Sequence, residues 1–336
     1  MLADRSYRFP EFLRWTRRSI YALLVIGTVP VFLYEVMGMK WLVVPWSVVL
    51  LLGTAVALMA GFKNTQTYGR TWGAQQVWAS ILASSRSWGT MCRDLVDSPE
   101  EARKLVYRHL AWLTTLRYAM RQRRAWETVE SAPNIEYRQR TYKIPEKQSS
   151  LENELVKHLP CDEVAPILMA SNKAGQVLSL QNLAIKELLD RGLIQSGASA
   201  EMRRAVARLQ EQQCDSELIK DFPYPRQYAI VNTIFVRILC VLLPLAMIHE
   251  FEKLNTSVSG FMQGYMVWLA IPTSVLISWM YTSLDQVGEN TANPFEGGSN
   301  DVPISQICLE IEVEMKEMLG ETNLPMLDRS KNNVLL

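Results

Sequence analysis

The sequence predicts an all-α membrane protein, with four transmembrane helices per subunit and a helical domain on the cytoplasmic side. Three observations predict it. Four apolar runs, at 19–39, 44–62, 228–248 and 261–284, are each near the ~20 residues that cross a bilayer. The section 63–228 has no such run, yet its apolar residues recur at helical spacing. Lys and Arg crowd one side of the spans, which the positive-inside rule assigns to the cytoplasm.

The elements follow in order. Residues 1–18 form a polar, basic arm with interleaved Tyr7, Phe9, Phe12 and Trp15. This suits either an interfacial helix lying under the membrane or an arm packed on the soluble domain. Asp4, Arg5, Arg8, Glu11, Arg14, Arg17 and Arg18 precede the first apolar run. That run is too long for a signal-peptide core, so no cleaved leader is expected. Pro30 kinks the first span without ending it, because the apolar pattern continues on both sides. Glu35 falls at its far end. Lys40 and Trp41 connect to Pro45, which suits a first helical turn. With the spans 19–39 and 44–62, residues 19–62 make a first hairpin.

Residues 63–228 form the cytoplasmic helical domain. Trp72, Val77, Trp78, Ile81, Leu82, Trp88, Leu95, Leu105, Leu110, Trp112 and Leu113 mark helices up to Arg124. Ser98, Pro99, Glu100 and Glu101 read as a cap and first turn. Residues 128–160, with Pro133, Pro145 and Pro160, read as a loop with at most one short helix. Asp162–Gly192 is helical, Gly197 breaks the pattern, and Ala200–Ile219 resumes it. Asp221, Phe222, Pro223, Tyr224 and Pro225 form a stiff turn into the second hairpin, 229–284. Gly260 opens the fourth span, which contains Pro272. The tail, 285–336, is polar apart from an amphipathic helix at Ile304–Leu319.

Composition excludes several functions. The 336 residues carry a formal net charge of +1, with 49% hydrophobic and 21% charged residues. This near neutrality gives no case for nucleic-acid binding. The five cysteines, Cys92, Cys161, Cys214, Cys240 and Cys308, are scattered and form neither a zinc motif nor a disulfide framework. No GxSxG, HExxH, P-loop or dinucleotide fingerprint occurs. His109, His158 and His249 are far apart, and Glu310, Glu312, Glu314 and Glu317 read as a solvated helix face. The chain is therefore read as no enzyme, with no metal and no cofactor.

Two stripes distinguish the second span. Gly53, Ala57 and Gly61 form a small-residue ridge that lets helix backbones approach closely in lipid. Thr54, Leu58 and Phe62 form a neighbouring stripe about 100° round the helix. On its own this stretch reads as a membrane anchor whose stripe faces lipid, ahead of a pore-lining helix. Arg237 lies roughly two turns into the third span. A charge there either faces a bundle interior or water, or snorkels to the headgroups.

These features resemble the bestrophin family of ion channels, in its bacterial branch. The resemblance rests on Gly61, Phe62, Lys63 and Asn64, then Tyr68, Arg70, Trp78 and Arg86. It continues through Asp221, Pro225, Tyr228, Arg237, Leu243 and Pro244, and ends on Asn293, Pro294 and Phe295. It implies a homopentamer around one central pore, multi-pass in the cell inner membrane, with both termini cytoplasmic. Its partners are then membrane lipid and permeating monovalent ions. It places a hydrophobic neck on Thr54, Leu58 and Phe62, and a lower constriction near Ala198 or Met202. Family members carry bulky apolar side chains at all three neck positions, so Thr54 departs and should wet more easily. Too few carboxylates follow Phe295 to bind calcium as animal relatives do. An apolar neck has no fixed charge, so anions such as chloride are expected by resemblance, with a cation channel as the alternative. A small-solute transporter, needing inverted repeats and polar midplane groups, and a membrane-anchored scaffold are the other readings.

Overall fold

The structure is a computed structural model that describes residues 8–255, 257–258, 263–325 and 334–336. Asp4, Arg5 and Tyr7 of the arm, and the fourth-span start at Gly260 and Phe261, lie outside these residues. The helices are α1 (Phe9–Glu35), α2 (Trp46–Leu95), α3 (Pro99–Arg121), α4 (Ala132–Thr141), α5 (Leu151–Leu155), α6 (Cys161–Met169), α7 (Lys173–Asp190), α8 (Ser196–Asp221), α9 (Arg226–Asn255), α10 (Ala270–Asn290) and α11 (Ile304–Met318). Membrane-crossing length and apolarity are reached in α1, in α2, in the segment Ser196–Asn255 and in Met266–Asn290. Because α8 is polar, the apolar window of that third segment falls in α9.

The chain divides into two units. The membrane unit comprises Arg5–Gly69 and Tyr224–Ala292. Within it α1, α9 and α10 pack on one another. Gly27 of α1 makes this possible: a β-carbon there would stand 3.1 Å from Val275 Cγ2 and 3.3 Å from Ser274 Oγ on α10. Val49 and Val56 of α2 join Val236, Leu239 and Leu243 of α9 in one buried cluster. Pro30 and Pro244 lie inside α1 and α9, which continue past them.

The helical body comprises Arg70–Pro223 and Asn293–Leu336. Its core holds the fully buried Trp78, Trp88 and Trp112. The indole of Trp112 donates to Gln213 Oε1 at 3.0 Å, so the ring is buried without an orphaned N–H. His109 contacts Ser85 Oγ at 2.9 Å, and burial pushes its imidazole down to about 3, so it packs as a neutral ring. Ser98 caps α3 by accepting from the Glu101 amide, with Pro99 in the first turn.

Several boundaries differ from those read in the sequence. Residues 9–18 are no separate arm: α1 runs through them without a break. Pro45 precedes α2 and does not occupy its first turn. The polar stretch 128–160 holds α4, α5 and a 3-10 turn at Pro145–Lys147. The interruption before α8 is at Gly192, with φ 71°, and Gly197 lies within α8. A second interruption at 170–172 separates α6 from α7, where Asn172 caps the Gly175 amide at 2.8 Å. Before α10 comes a 3-10 turn at Met266–Leu269, and Pro272 sits in the first turn of α10, where it breaks no helix bond.

Candidate functional site

Helix α2 has two faces. One is a seam of buried residues at alternating spacings of three and four: Val56, Ala60, Lys63, Thr67, then Ala74, Trp78, Ile81, Ser85, Trp88 and Cys92. Such spacing keeps one face of a helix turned inward. Thr54 and Leu58 each stand two residues from a seam position, about 160° round the helix. Thr54, Leu58 and Phe62 are accordingly exposed, Leu58 by 77% and Phe62 by 60%. The Thr54 hydroxyl donates to Leu50 O at 2.9 Å, so its donor is used within the helix and its methyl shares the open face.

The small-residue ridge divides. At Gly53 a β-carbon would lie 3.7 Å from the Tyr281 hydroxyl and 3.8 Å from Leu239 Cδ1, so this residue faces α9 and α10. Tyr281 also donates to Gly53 O at 3.2 Å. Ala57 and Gly61 are exposed, and nothing lies within 4 Å of a β-carbon at Gly61.

Beyond Phe62 the seam turns polar. Lys63, 2% exposed, donates to Asp285 Oδ1 at 2.7 Å and lies 3.7 Å from Glu289. Asn232 Nδ2 donates to the same Asp285 oxygen at 2.6 Å, and Thr233 Oγ1 to the other at 2.9 Å. Two carboxylates thus face one ammonium, two neutral donors satisfy Asp285, and together they hold α2, α9 and α10 in register. The Asn64 amide oxygen presses on Gly288, where any β-carbon would come within 2.1 Å of it. Sequence reading missed this cluster, because Lys63 read as a flanking charge and Asp285 as the start of the tail. The signal was opposite charges at the ends of two apolar runs.

Most of the remaining motif residues have structural partners. Arg70 donates to Ile219 O at 2.9 Å, closing the end of α8. Arg86 pairs bidentately with Glu314 on α11. Asp221, the last residue of α8, accepts from Arg124 at 2.8 Å. Pro225 leads into α9 and accepts from the Tyr228 amide at 3.1 Å. Phe295 is buried against Trp78, with Arg121 donating to its carbonyl at 3.0 Å. Asn293 is buried, and Pro294 O accepts from the Val302 amide. Tyr68 is exposed, and so is Arg237.

Near Asn293 two carboxylates turn inward. Glu296 accepts from the Val129 amide at 2.6 Å and the Thr128 amide at 3.0 Å. Asp301 accepts from the Gly297 and Gly298 amides at 2.7 and 2.9 Å. Burial, with Asp301 and Glu127 as neighbouring charges, pushes Glu296 up to about 8. Burial also raises Asp301. Among the described residues no three His, Cys, Asp or Glu side chains gather as a metal site.

The lower-constriction pair separates. Met202 is fully buried in the body's core, so its side chain is committed to packing and leaves the candidate aperture. Ala198 is half-buried.

Comparisons with known proteins bear on the family and the fold. Residues 15–317 match the family model for the bacterial/fungal bestrophin protein. A protein of Escherichia coli K12 named voltage-dependent anion channel-forming protein YneE is 22% identical over 306 residues, covering 91% of this chain and 86% of its own length. A Mesorhizobium japonicum protein of the same naming, mll4386, is 23% identical over 285 residues, 84% of this chain and 77% of its own. The crystal structure of a bacterial bestrophin homolog from Klebsiella pneumoniae superimposes with a TM-score of 0.75, at 20% identity, over 91% of this chain and 98% of that one. The match covers all four apolar helices and nearly all of the helical body, and the chain belongs to the bacterial/fungal bestrophin family.

Proposed function

We propose that the chain is one subunit of a homopentameric anion channel of the inner membrane, with both termini cytoplasmic. Five copies of α2 surround one pore, and Thr54, Leu58 and Phe62 form its neck. The observation that carries this reading is the exposed stripe of α2, opposite a seam that already satisfies the helix's packing. An apolar ring pair below a threonine ring makes a narrow, poorly wetted constriction that gates small monovalent ions. Ala57 and Gly61 leave room beside the neck for the neighbouring copy. Family membership, and relatives named as anion channel-forming proteins, favour ion passage over catalysis and anions over cations. The basic flank Arg14, Arg17 and Arg18 supports the orientation.

The test is purified protein in a planar bilayer under a sodium chloride gradient, with the mass of the detergent-solubilised particle measured in parallel. The reading requires a five-subunit mass and a reversal potential on the chloride side. A sodium-side reversal makes it a cation channel of the same fold. Silence with any other mass favours the scaffold.

A further inference from the structure

We propose that Arg237 is the fixed positive charge that sets the anion preference of the neck. The inference rests on the channel reading above and names a residue that determines its specificity.

Two rungs place Arg237 along the neck. Asn232 of α9 shares Asp285 with Lys63 of α2, so Asn232 stands at the cytoplasmic end of the neck. Leu239 of α9 packs at Gly53, so it stands at the outer end. Arg237 lies between them, about 7.5 Å outward of Asn232 at helical rise. Its height is that of the Thr54–Phe62 stripe.

The guanidinium there is uncompensated. Arg237 is exposed on an otherwise apolar stripe with Ile230, Ile234 and Val241, and it has no polar partner among the described residues. The acids of the membrane unit outside residues 5–7 are Glu11, Glu35, Glu250, Glu252, Asp285 and Glu289. All lie towards helix ends, and the last two already flank Lys63. A second copy of the chain therefore brings no carboxylate to this height either. Lys63 and Arg237 contrast on this point: one charge is cancelled by two acids, the other by none.

A charge at the middle of a span is costly when it faces hydrocarbon, and such residues mark ion pathways. In a ring of five copies each Arg237 acts on the neck from a distance, through protein and lipid of low dielectric that screen its field little. It lowers the energy of an anion in the neck and raises that of a cation. The neck's own side chains carry no charge, and Arg237 supplies what they lack.

The experiment compares wild type, Arg237→Gln, Arg237→Lys and Val241→Lys in planar bilayers under a sodium chloride gradient, with particle mass as the assembly control. Arg237→Gln should cut the chloride-to-sodium permeability ratio by about threefold or more, as expected for the loss of five charges acting through a low dielectric. Arg237→Lys should keep the ratio. Val241→Lys adds a charge one turn outward on the same stripe and should raise it, which tests the idea even where the glutamine variant fails to assemble. Conducting Arg237→Gln channels with wild-type selectivity overturn the inference while the channel stands. So does an unchanged ratio in Val241→Lys, or a wild type selective for sodium. A silent wild type overturns both.

Discussion

The helical body and the membrane unit use their apolar residues differently. The body buries Trp78, Trp88 and Trp112 completely, and ties Trp112 and His109 to internal partners. The membrane unit has smaller buried clusters and leaves large residues open: Leu51, Leu58, Phe62, Ile230, Ile234 and Leu276 are all exposed. Burying an exposed leucine contributes about 2 kcal/mol, so this much open apolar surface is stable only against lipid or other copies. The body buries its largest aromatic side chains within one chain. The membrane unit is finished by its surroundings, and the buried polar cluster around Lys63 is closed on itself.

The contrast can be broken from either side. Trp112→Ala should be the most damaging change, at about 4–5 kcal/mol, because it opens a cavity and orphans Gln213 Oε1. Thermal unfolding in detergent should show the loss in the body's transition. Lys63→Met should cost the membrane unit about 3–4 kcal/mol by leaving Asp285 buried without its cation. Pairing it with Asp285→Leu should return most of that, and failure to do so would mean the cluster has a role beyond neutralising itself.

Glu296 sharpens the comparison within the body. Its folded carboxyl is raised to about 8 from 4.5, so the folded state holds a proton that the unfolded state releases. Stability should therefore fall as pH rises from about 5 to 8 and level off above. Melting curves of Glu296→Gln should lack that decline, and an identical decline would assign it to another group. Thr54→Ile should have the mildest effect, a lowered single-channel conductance with assembly intact. The Thr54 hydroxyl is already bonded back to Leu50, so its ring is only partly polar and the gain in dryness is modest.

Much of this was legible in the chain. The four spans announced themselves because bilayer length is long compared with any chance apolar run, and Pro30 was read through, as α1 continues past it. That Thr54, Leu58 and Phe62 share one face of α2 followed from spacing, while that face's role as a neck came only from the resemblance. Boundaries were less legible because helices outlast the pattern that reveals them: α2 continues well past Phe62, and α1 begins in the polar arm. Gly197 drew the eye where Gly192 bends the chain, since only the latter has the left-handed conformation that favours glycine. Met202 was placed by counting along the chain, which cannot tell the two faces of α8 apart. The Lys63–Asp285 contact joins residues 222 apart in sequence, and no local spacing encodes such a pair.

The central claim is that the Thr54, Leu58 and Phe62 face of α2 borders the ion path and the Val56 face does not. Thiol-reactive block of currents in planar bilayers tests it, with Leu58→Cys and Val56→Cys compared against wild type. Rapid, irreversible block of Leu58→Cys, with Val56→Cys and wild type unaffected, is the predicted result. Currents through Leu58→Cys that the reagent leaves unchanged, or equal block at Val56→Cys, would contradict the account.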